Sequence, residues 1–178
     1  MINSKASRLG ARLVSVIAIA ALTSLLTGVG VAQHMISSRA GFVNRVDGAV
    51  FIQRQDSDDG ERGRASLGTQ MRDGDRLITT TGRAELLLTP GSVLRLNNDS
   101  EVRAVNTALD EARFELISGS AMVEIAEIDK KTPLQIDTPQ GSLSIAMKSL
   151  IRLDARANET IVSVRQGEIY LGGRDRFQ

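Results

Sequence analysis

Few residue types in this chain of 178 residues could perform nucleophilic or metal-dependent chemistry. It contains no cysteine and one histidine, His34. A Ser-His-Asp arrangement needs its histidine inside a folded domain, whereas His34 directly follows a long uncharged N-terminal segment. Zinc sites use several histidine or cysteine ligands, and His34 has no second one. The sequence therefore predicts no catalytic residue, no metal ligand and no bound cofactor.

Three short acidic or amide clusters are the remaining candidates for a ligand site. Residues 56–60, Asp-Ser-Asp-Asp-Gly, have the composition of a calcium loop. An EF-hand loop needs glycine at about position 6 and glutamate at about position 12, and Gly60 and Leu67 do not meet that spacing. Residues 73–75 and 97–100 are rich in Asp, Asn and Gly, whose side chains bond to nearby backbone in turns. These patterns favour a solvated loop and two structural turns.

The abundance of acidic residues leaves a carboxylate pair of the glycosidase kind open on spacing alone. Carbohydrate clefts usually need stacking aromatic side chains, however, and only 3% of the residues are aromatic. A glycine-rich phosphate-binding motif, Gly-x-x-x-x-Gly-Lys-Ser/Thr, is also missing from the sequence. A hydrolase is thus disfavoured, and the chain is predicted not to be an enzyme.

The distribution of charge disfavours a nucleic-acid partner. The formal net charge of +1 comes from 22 basic and 21 acidic residues. Three of the basic residues, Lys5, Arg8 and Arg12, precede the apolar segment, and no acidic residue does. Residues 33–178 therefore have 22 − 3 = 19 basic and 21 acidic residues, a net charge of −2. Nucleic-acid readers usually carry a basic patch or stripe.

The first 32 residues have the features of an export signal. A basic start is followed by residues 13–33, which carry no charge, and Gly30-Val31-Ala32 supplies the small residues of a cleavage site before Gln33. The uncharged run also reaches the length of about 20 residues that a membrane-spanning helix needs. We interpret residues 1–32 as a signal peptide or membrane anchor and favour cleavage. The protein is expected to be exported, periplasmic or extracellular, with the inner membrane contacted only through residues 13–33 if they are retained.

Beyond residue 40 the apolar residues occur in short blocks of Val, Ile and Leu separated by turn signals. This spacing is typical of all-β domains. We predict an all-β fold, a single domain of many short strands that is solenoid-like or a twisted sandwich, after an N-terminal hydrophobic leader helix. The predicted strands are residues 42–46, 49–54, 76–79, 83–88, 93–96, 101–105, 113–117, 121–126, 134–137, 143–146, 150–154, 161–164 and 168–171.

Three local patterns add detail to this prediction. Thr89-Pro90-Gly91-Ser92 is a type II turn sequence, with Pro second and Gly third. Tight hairpins prefer other turn types, so we expect a corner between strands there. Residues 86–88 are three consecutive leucines, which predicts a strand buried on both faces. Residues 55–64 contain no apolar side chain and are interpreted as a solvated loop.

The ordered series of these blocks resembles the FecR-type periplasmic domain, named for the ferric-citrate regulator. The match extends over residues 41–172, which we take as a FecR-like all-β domain. The matching pieces, in the family's order, are residues 41–50, Gly-Asp-Arg-Leu-Ile-Thr at 74–79, residues 82–86, Gly-Ser-Val-Leu-Arg-Leu at 91–96, residues 100–102, Phe-Glu-Leu at 114–116 with Gly119, Thr-Pro-Gln-Gly at 138–141, and residues 163–169.

The resemblance implies an envelope-located binding, scaffold or regulatory module without catalysis, whose partner is another envelope protein. The family's signalling members carry a cytoplasmic anti-sigma segment before their membrane helix, and here only residues 1–12 precede the apolar run. Sigma-factor regulation is accordingly not implied. The alternative, from a different functional class, is a structural or adhesive surface module with no regulatory role. The sequence leaves the partner's identity and the oligomeric state open.

Overall fold

The structure is a computed structural model that describes residues 39–57 and 61–172. These residues form strands, turns and loops, which confirms the all-β prediction, and no helix able to cross a membrane is found among them. The leader and His34 lie outside the described residues. The strands are β1 (Phe42–Gln53), β2 (Arg62–Arg64), β3 (Arg76–Thr89), β4 (Ser92–Leu96), β5 (Ser100–Asn106), β6 (Arg113–Ile125), β7 (Leu134–Thr138), β8 (Gly141–Ile145), β9 (Ser149–Ala155), β10 (Thr160–Gln166) and β11 (Tyr170–Gly172).

Alternating burial along the strands creates the core. In β4 the side chains of Ser92, Leu94 and Leu96 are buried and those between them point outward, because successive side chains of a strand lie on opposite faces. Buried positions from β1 to β9 join in one aliphatic cluster, in which Phe114 is the only aromatic side chain. At about 25 cal/mol per Å² of apolar area removed from water, this cluster is the main source of stability in a protein without disulfides.

Strand pairing arranges the sheet in two layers that enclose this cluster. The first layer has the order β1–β3–β4–β6–β9–β10, and the second has the order β2–β1–β3–β5–β6–β7–β8–β11. Only the β6–β7 pair is parallel in the described part of the chain. The described strands therefore form two mostly antiparallel layers, which we call the sandwich, and not a stack of parallel coils.

Three long strands, β1, β3 and β6, belong to both layers because each bends midway. Gly48 of β1 lies opposite Gly82 of β3 at the bend. A Cβ atom on Gly82 would lie 2.6 Å from the backbone N of Ala49 and from the backbone O of Asp47. Gly48 has φ +76°, which side chains rarely adopt. The strands pass this closely between layers because neither residue carries a side chain.

These bends correct the predicted strand boundaries. The sequence predicts six separate blocks at 42–46 and 49–54, 76–79 and 83–88, and 113–117 and 121–126, and the structure joins each pair into one strand. The turn signals at Asp47-Gly48 and Ser118-Gly119 are thus bends within strands. The register shift beside Gly48 marks a bulge, which bends a strand without ending it. A bulge and a turn both favour glycine because both need a positive φ. The local sequence therefore does not distinguish a bulge from a turn.

The prediction that the leucine run is buried on both faces is wrong. Leu86 and Leu88 are fully buried, but Leu87 is half-buried on the outer face. It lies opposite Val93 of β4, which is also half-buried. Leu87 is therefore covered by a neighbour on the sheet surface, and the strand has one core face like the others.

The predicted corner at residues 89–92 is also wrong, although the turn chemistry is as expected. Gly91 has φ +80°, as a type II turn requires at its third position. Thr89 pairs directly with Ser92, however, so β3 and β4 form a hairpin. The register shifts between Leu87 and Thr89, and this irregularity accommodates a turn type that would otherwise splay the two strands.

One strand lies within the segment predicted to be a loop. β2 is short, fully exposed and pairs with the second half of β1. The guanidinium carbon of Arg64 lies 5.6 Å from the centre of the Phe51 ring, a favourable cation–π distance. Backbone pairing and this contact hold the strand, so no apolar residue marks it in the sequence.

Candidate interaction surface

The acidic turn at residues 73–75 is structural, as the sequence predicts. The Asp75 carboxylate is buried and accepts hydrogen bonds from Arg54 Nη1 at 2.6 Å, from the Arg72 backbone N at 2.8 Å and from the Gln55 backbone N at 3.1 Å. The Asp73 carboxylate accepts from the backbone N and the hydroxyl of residue 107. Both carboxylates therefore fasten loops.

The amide turn at residues 97–100 has a similar role. Ser100 Oγ donates to the backbone O of Asn98 at 3.0 Å and is within 3.1 Å of the backbone O of Ser120. Asp99 has φ 51°, a left-handed conformation that Asp tolerates better than most residues. The turn thus ties β5 to β6 at the point where β6 bends.

Residues 56–60 lie only partly within the described residues. Ser57 Oγ donates to the backbone O of Arg54 at 2.8 Å, and residues 58–60 and His34 lie outside. No group of three or more His, Cys, Asp or Glu side chains suited to a metal ion occurs in residues 39–57 and 61–172.

Carboxylates on the outer faces contact arginines across strands rather than one another. Arg95 bridges Glu85 and Glu124, with Nε–Oε2 and Nη1–Oε2 distances of 2.8 and 2.5 Å. The hydrogen bond from Asn44, followed by those from Arg95, lowers the pKa of Glu85 below its ordinary value. Glu85 therefore stays ionised as the partner of Arg95.

A shallow groove on the outer face of the first layer is bordered by Arg83, Arg95 and Arg152, with Met122 exposed at its centre. Each arginine already contacts an acceptor: Arg83 donates to Asn97, Arg95 contacts two glutamates, and Arg152 contacts Asp154 through two nitrogens. The groove therefore presents little net positive charge for an anionic ligand.

Exposed apolar side chains concentrate on the last two strands. Six large apolar side chains are exposed in the described residues, and four of them lie on β10 and β11. These four are Ile161, Val164, Tyr170 and Leu171. The other two, Leu67 and Met122, lie apart from them in the sequence. Clustering of this kind marks surfaces that contact other proteins.

Two of these side chains face the core side of their layers and are nevertheless exposed. Val164 lies opposite buried Ile151, and Leu171 lies opposite buried Leu143. Residues directly opposite each other in a strand pair share a face, so Val164 and Leu171 point toward the inside of the sandwich. They are 43% and 48% exposed. We call this margin, formed by β10 and β11, the open side.

Both strands of the open side are edges in the part of the chain that the structure describes. β10 pairs with β9 alone, and β11 pairs with β8 alone. An edge strand presents unpaired backbone N–H and C=O groups that can bond to another strand. The open side therefore combines free hydrogen-bonding groups with apolar side chains.

Comparison with known families identifies the domain. A family model described as FecR protein matches residues 75–170, which is more than half of the chain and extends from the turn before β3 to the start of β11. The chain belongs to the FecR family. Comparison with curated proteins and with solved structures finds no match. The FecR family is regulatory and non-enzymatic, its domains are typically periplasmic, and its members act in signalling with envelope partners.

Sequence reasoning located the strands of the open side but did not find their exposure. Residues 161–164 and 168–171 are as apolar as the core strands, and nothing local distinguishes them. The one available signal of their exposure is their position as the last two predicted strands. No later strand is predicted that could cover them. The exposure depends on which strands pair, which only the FecR domain's tertiary arrangement decides.

Proposed function

We propose that this protein is an exported, non-enzymatic module that binds another protein of the bacterial cell envelope in a scaffold or regulatory role. The observation that carries the proposal is the open side, where two strand edges and the exposed side chains of Val164, Tyr170 and Leu171 occur together. Membership of a regulatory, non-enzymatic family supports it.

The chemistry of the open side suits protein recognition. Addition of a strand to a sheet edge gives affinity through backbone hydrogen bonds and specificity through alternate side chains. Tyr170 is 64% exposed on β11, and tyrosine is among the residues enriched at protein interfaces. A partner that covers Tyr170 and Leu171 gains apolar contact area.

Site-specific photo-crosslinking in intact cells tests this function. We expect a photoreactive residue at position 170 to form covalent products with an envelope protein that mass spectrometry identifies. The matched control is position 67, because Leu67 is 70% exposed on a loop away from β10 and β11. Equal yields from the two positions, or no product from position 170, would contradict a binding role for the open side.

Export is the second part of the proposal and has its own measurement. A basic start, a long uncharged run and small residues before Gln33 are what export and cleavage require. We expect the protein from fractionated cells to begin at Gln33 and to occur outside the cytoplasm. N-terminal sequencing checks this. A start at Met1 in the membrane fraction would show a retained anchor, and an intact chain in the cytosol would reject export.

A further inference from the structure

We propose that β10 pairs with β10 of a second copy of this chain, antiparallel, about a two-fold axis that passes by Val162. The inference rests on the proposed function in that it uses the same open side, and it names one occupant of that surface. Four properties of β10 support it: the direction of its backbone groups, its composition, its register with itself and its charges.

The direction of the backbone groups follows from the hairpin that joins β9 and β10. The Arg156 backbone N–H donates to the Glu159 carbonyl at 2.8 Å. Antiparallel pairs alternate between hydrogen-bonded and non-hydrogen-bonded positions, and Ala155 lies opposite Thr160 as the next pair. Ile161 and Ser163 therefore exchange hydrogen bonds with β9. The intervening residues, Thr160, Val162 and Val164, direct their N–H and C=O groups toward the open edge.

The composition of this edge lacks the usual protection against pairing. Natural edge strands are blunted by lysine, proline or inward-pointing charges. Residues 160–164 are Thr-Ile-Val-Ser-Val, with no charge and no proline. The sole irregularity in β10 follows them, as a register shift between Val164 and Gln166. The stretch that presents the free groups is thus uncharged and almost wholly β-branched.

With a two-fold axis at Val162, the outward N–H and C=O groups of this edge pair with the same groups of the second copy. Val162 lies opposite Val162 of the second copy, and Thr160 lies opposite Val164 of the second copy, so every outward-directed residue meets another. The half-buried side chain of Val162 and the exposed side chain of Val164 face the inner side of the layer. Pairing therefore places Val162 beside Val162 of the second copy, and Val164 beside Thr160 with Val162 diagonal to it.

Charge complementarity selects both the second copy and this register. The same axis brings exposed Glu159 beside Arg165 of the second copy, which lies at the register shift just beyond Val164, and the symmetry repeats the contact. Glu159 already contacts Arg156 at 2.6 Å on the surface, so the additional cation extends an existing pair. An axis one residue further along, at Ser163, would instead place Arg165 beside Ile161 and Glu159 beside Gly167. That register loses both charge contacts.

A single-cysteine scan tests the register, because the chain contains no cysteine. Hydrogen-bonded positions of an antiparallel pair have Cα atoms about 5.5 Å apart, within the range that a disulfide accepts. We expect V162C, purified and oxidised, to form a cross-linked dimer. In the proposed register Ser163 is diagonal to its own copy, at about 7–8 Å, so the matched control S163C is expected to stay largely uncross-linked. Cross-linking of S163C but not of V162C would overturn the register.

Dimer formation is measured by analytical ultracentrifugation of the protein in the form that cells produce after any processing of the leader. We expect twice the monomer mass for wild type. V164P removes an N–H that only the second copy uses, and it is expected to sediment as a folded monomer with an unchanged β circular dichroism spectrum. V164T keeps that N–H and the branched side chain, so it should remain dimeric. Wild type that sediments as a monomer at tens of micromolar would overturn the proposal.

Charge reversal separates the loss of one contact from a loss of folding, because a second reversal can restore the dimer affinity only if the two charges meet. We expect E159R and R165E each to weaken dimerisation at least about tenfold at low salt, since each places like charges together. The double variant, with both reversals, should regain wild-type affinity. Additive weakening in the double variant would contradict the proposed contact. A monomer that still cross-links an envelope protein from position 170 would refute the dimer and leave the proposed function intact.

Discussion

The two ends of the sandwich differ in what lies beside their outermost strand. The chain passes from layer to layer at both ends: β1 and β3 do so at Gly48 and Gly82, and β10 continues into β11 through Gly167, where an added Cβ would lie 2.4 Å from the backbone O of Lys148. Beside β1, however, residues 65–69 form backbone hydrogen bonds with Val43 and Val50. Among the described residues β10 and β11 have no such neighbour, and Val164 and Leu171 are exposed there. We infer that a strand's availability for binding depends on whether a neighbouring segment covers its edge.

The outer faces do not account for this difference. Arginine–carboxylate pairs occur near both ends, across strands for Arg95 with Glu85 and within β9 for Arg152 with Asp154. The Asn44 hydrogen bond lowers the pKa of Glu85, and the two hydrogen bonds from Arg152 lower that of Asp154. The contrast between the ends therefore lies in strand pairing and in the segment that covers β1. Three measurements test it.

The largest effect is expected at the layer crossing. In Gly82→Ala the new Cβ would lie 2.6 Å from backbone atoms that cannot move independently, so we expect a loss of about 3 kcal/mol of unfolding free energy. The matched control is Gly63→Ala, where nothing lies within 4 Å of the added atom, and a change within about 0.5 kcal/mol is expected. Urea denaturation followed by circular dichroism measures both. Equal stability of the two variants would show that the crossing is not tightly packed.

A similar loss, but a smaller difference between the paired variants, is expected where the same residue type is compared across the molecule. Leu86 is fully buried in β3, and Leu171 is 48% exposed in β11. Leu86→Ala should cost about 3 kcal/mol, and Leu171→Ala less than about 1 kcal/mol. Leu87→Ala should resemble Leu171→Ala, because Leu87 lies on the outer face. Comparable losses for Leu86 and Leu171 in the denaturation experiment would mean that the open side is closed in the isolated protein.

The smallest effect concerns Glu85 and acid. Because its folded-state pKa is lowered from 4.5, Glu85 adds stability above pH 4.5, and this contribution is lost as pH falls through the folded-state pKa. Its partners are largely solvent-accessible, so we expect Glu85→Gln to cost about 0.5 kcal/mol near pH 7 and nothing near pH 2. Thermal unfolding of both proteins across pH measures this. If the stability difference between wild type and Glu85→Gln persists near pH 2, the effect comes from packing and not from the charge of Glu85.

Much of the fold follows from local sequence. Alternation and turn residues predicted the all-β class and located β4, β5, β7 and β9 to within a residue or two at each end. The turn at residues 97–100 and the bond from the Arg72 backbone N to Asp75, three residues away, were likewise predictable, because such side chains bond to backbone close in sequence. The bonds of Asp73 to residue 107 and of Asp75 to Arg54 and Gln55 were not, because they span 20 or more residues. The candidate surface was not predictable, since exposure of Val164 and Leu171 depends on a missing neighbour strand.

Local sequence is sufficient to predict the class of structure, the positions of most strands and the chemistry of the turns. These properties depend on interactions among residues a few positions apart. Long-range strand pairing was needed to show that glycines at 48, 82 and 119 bend strands instead of ending them, that Leu87 faces outward, and that the last two strands remain edges. Each of these outcomes depends on which strand lies beside which, and the period of two that identifies a strand is the same whichever neighbour it receives.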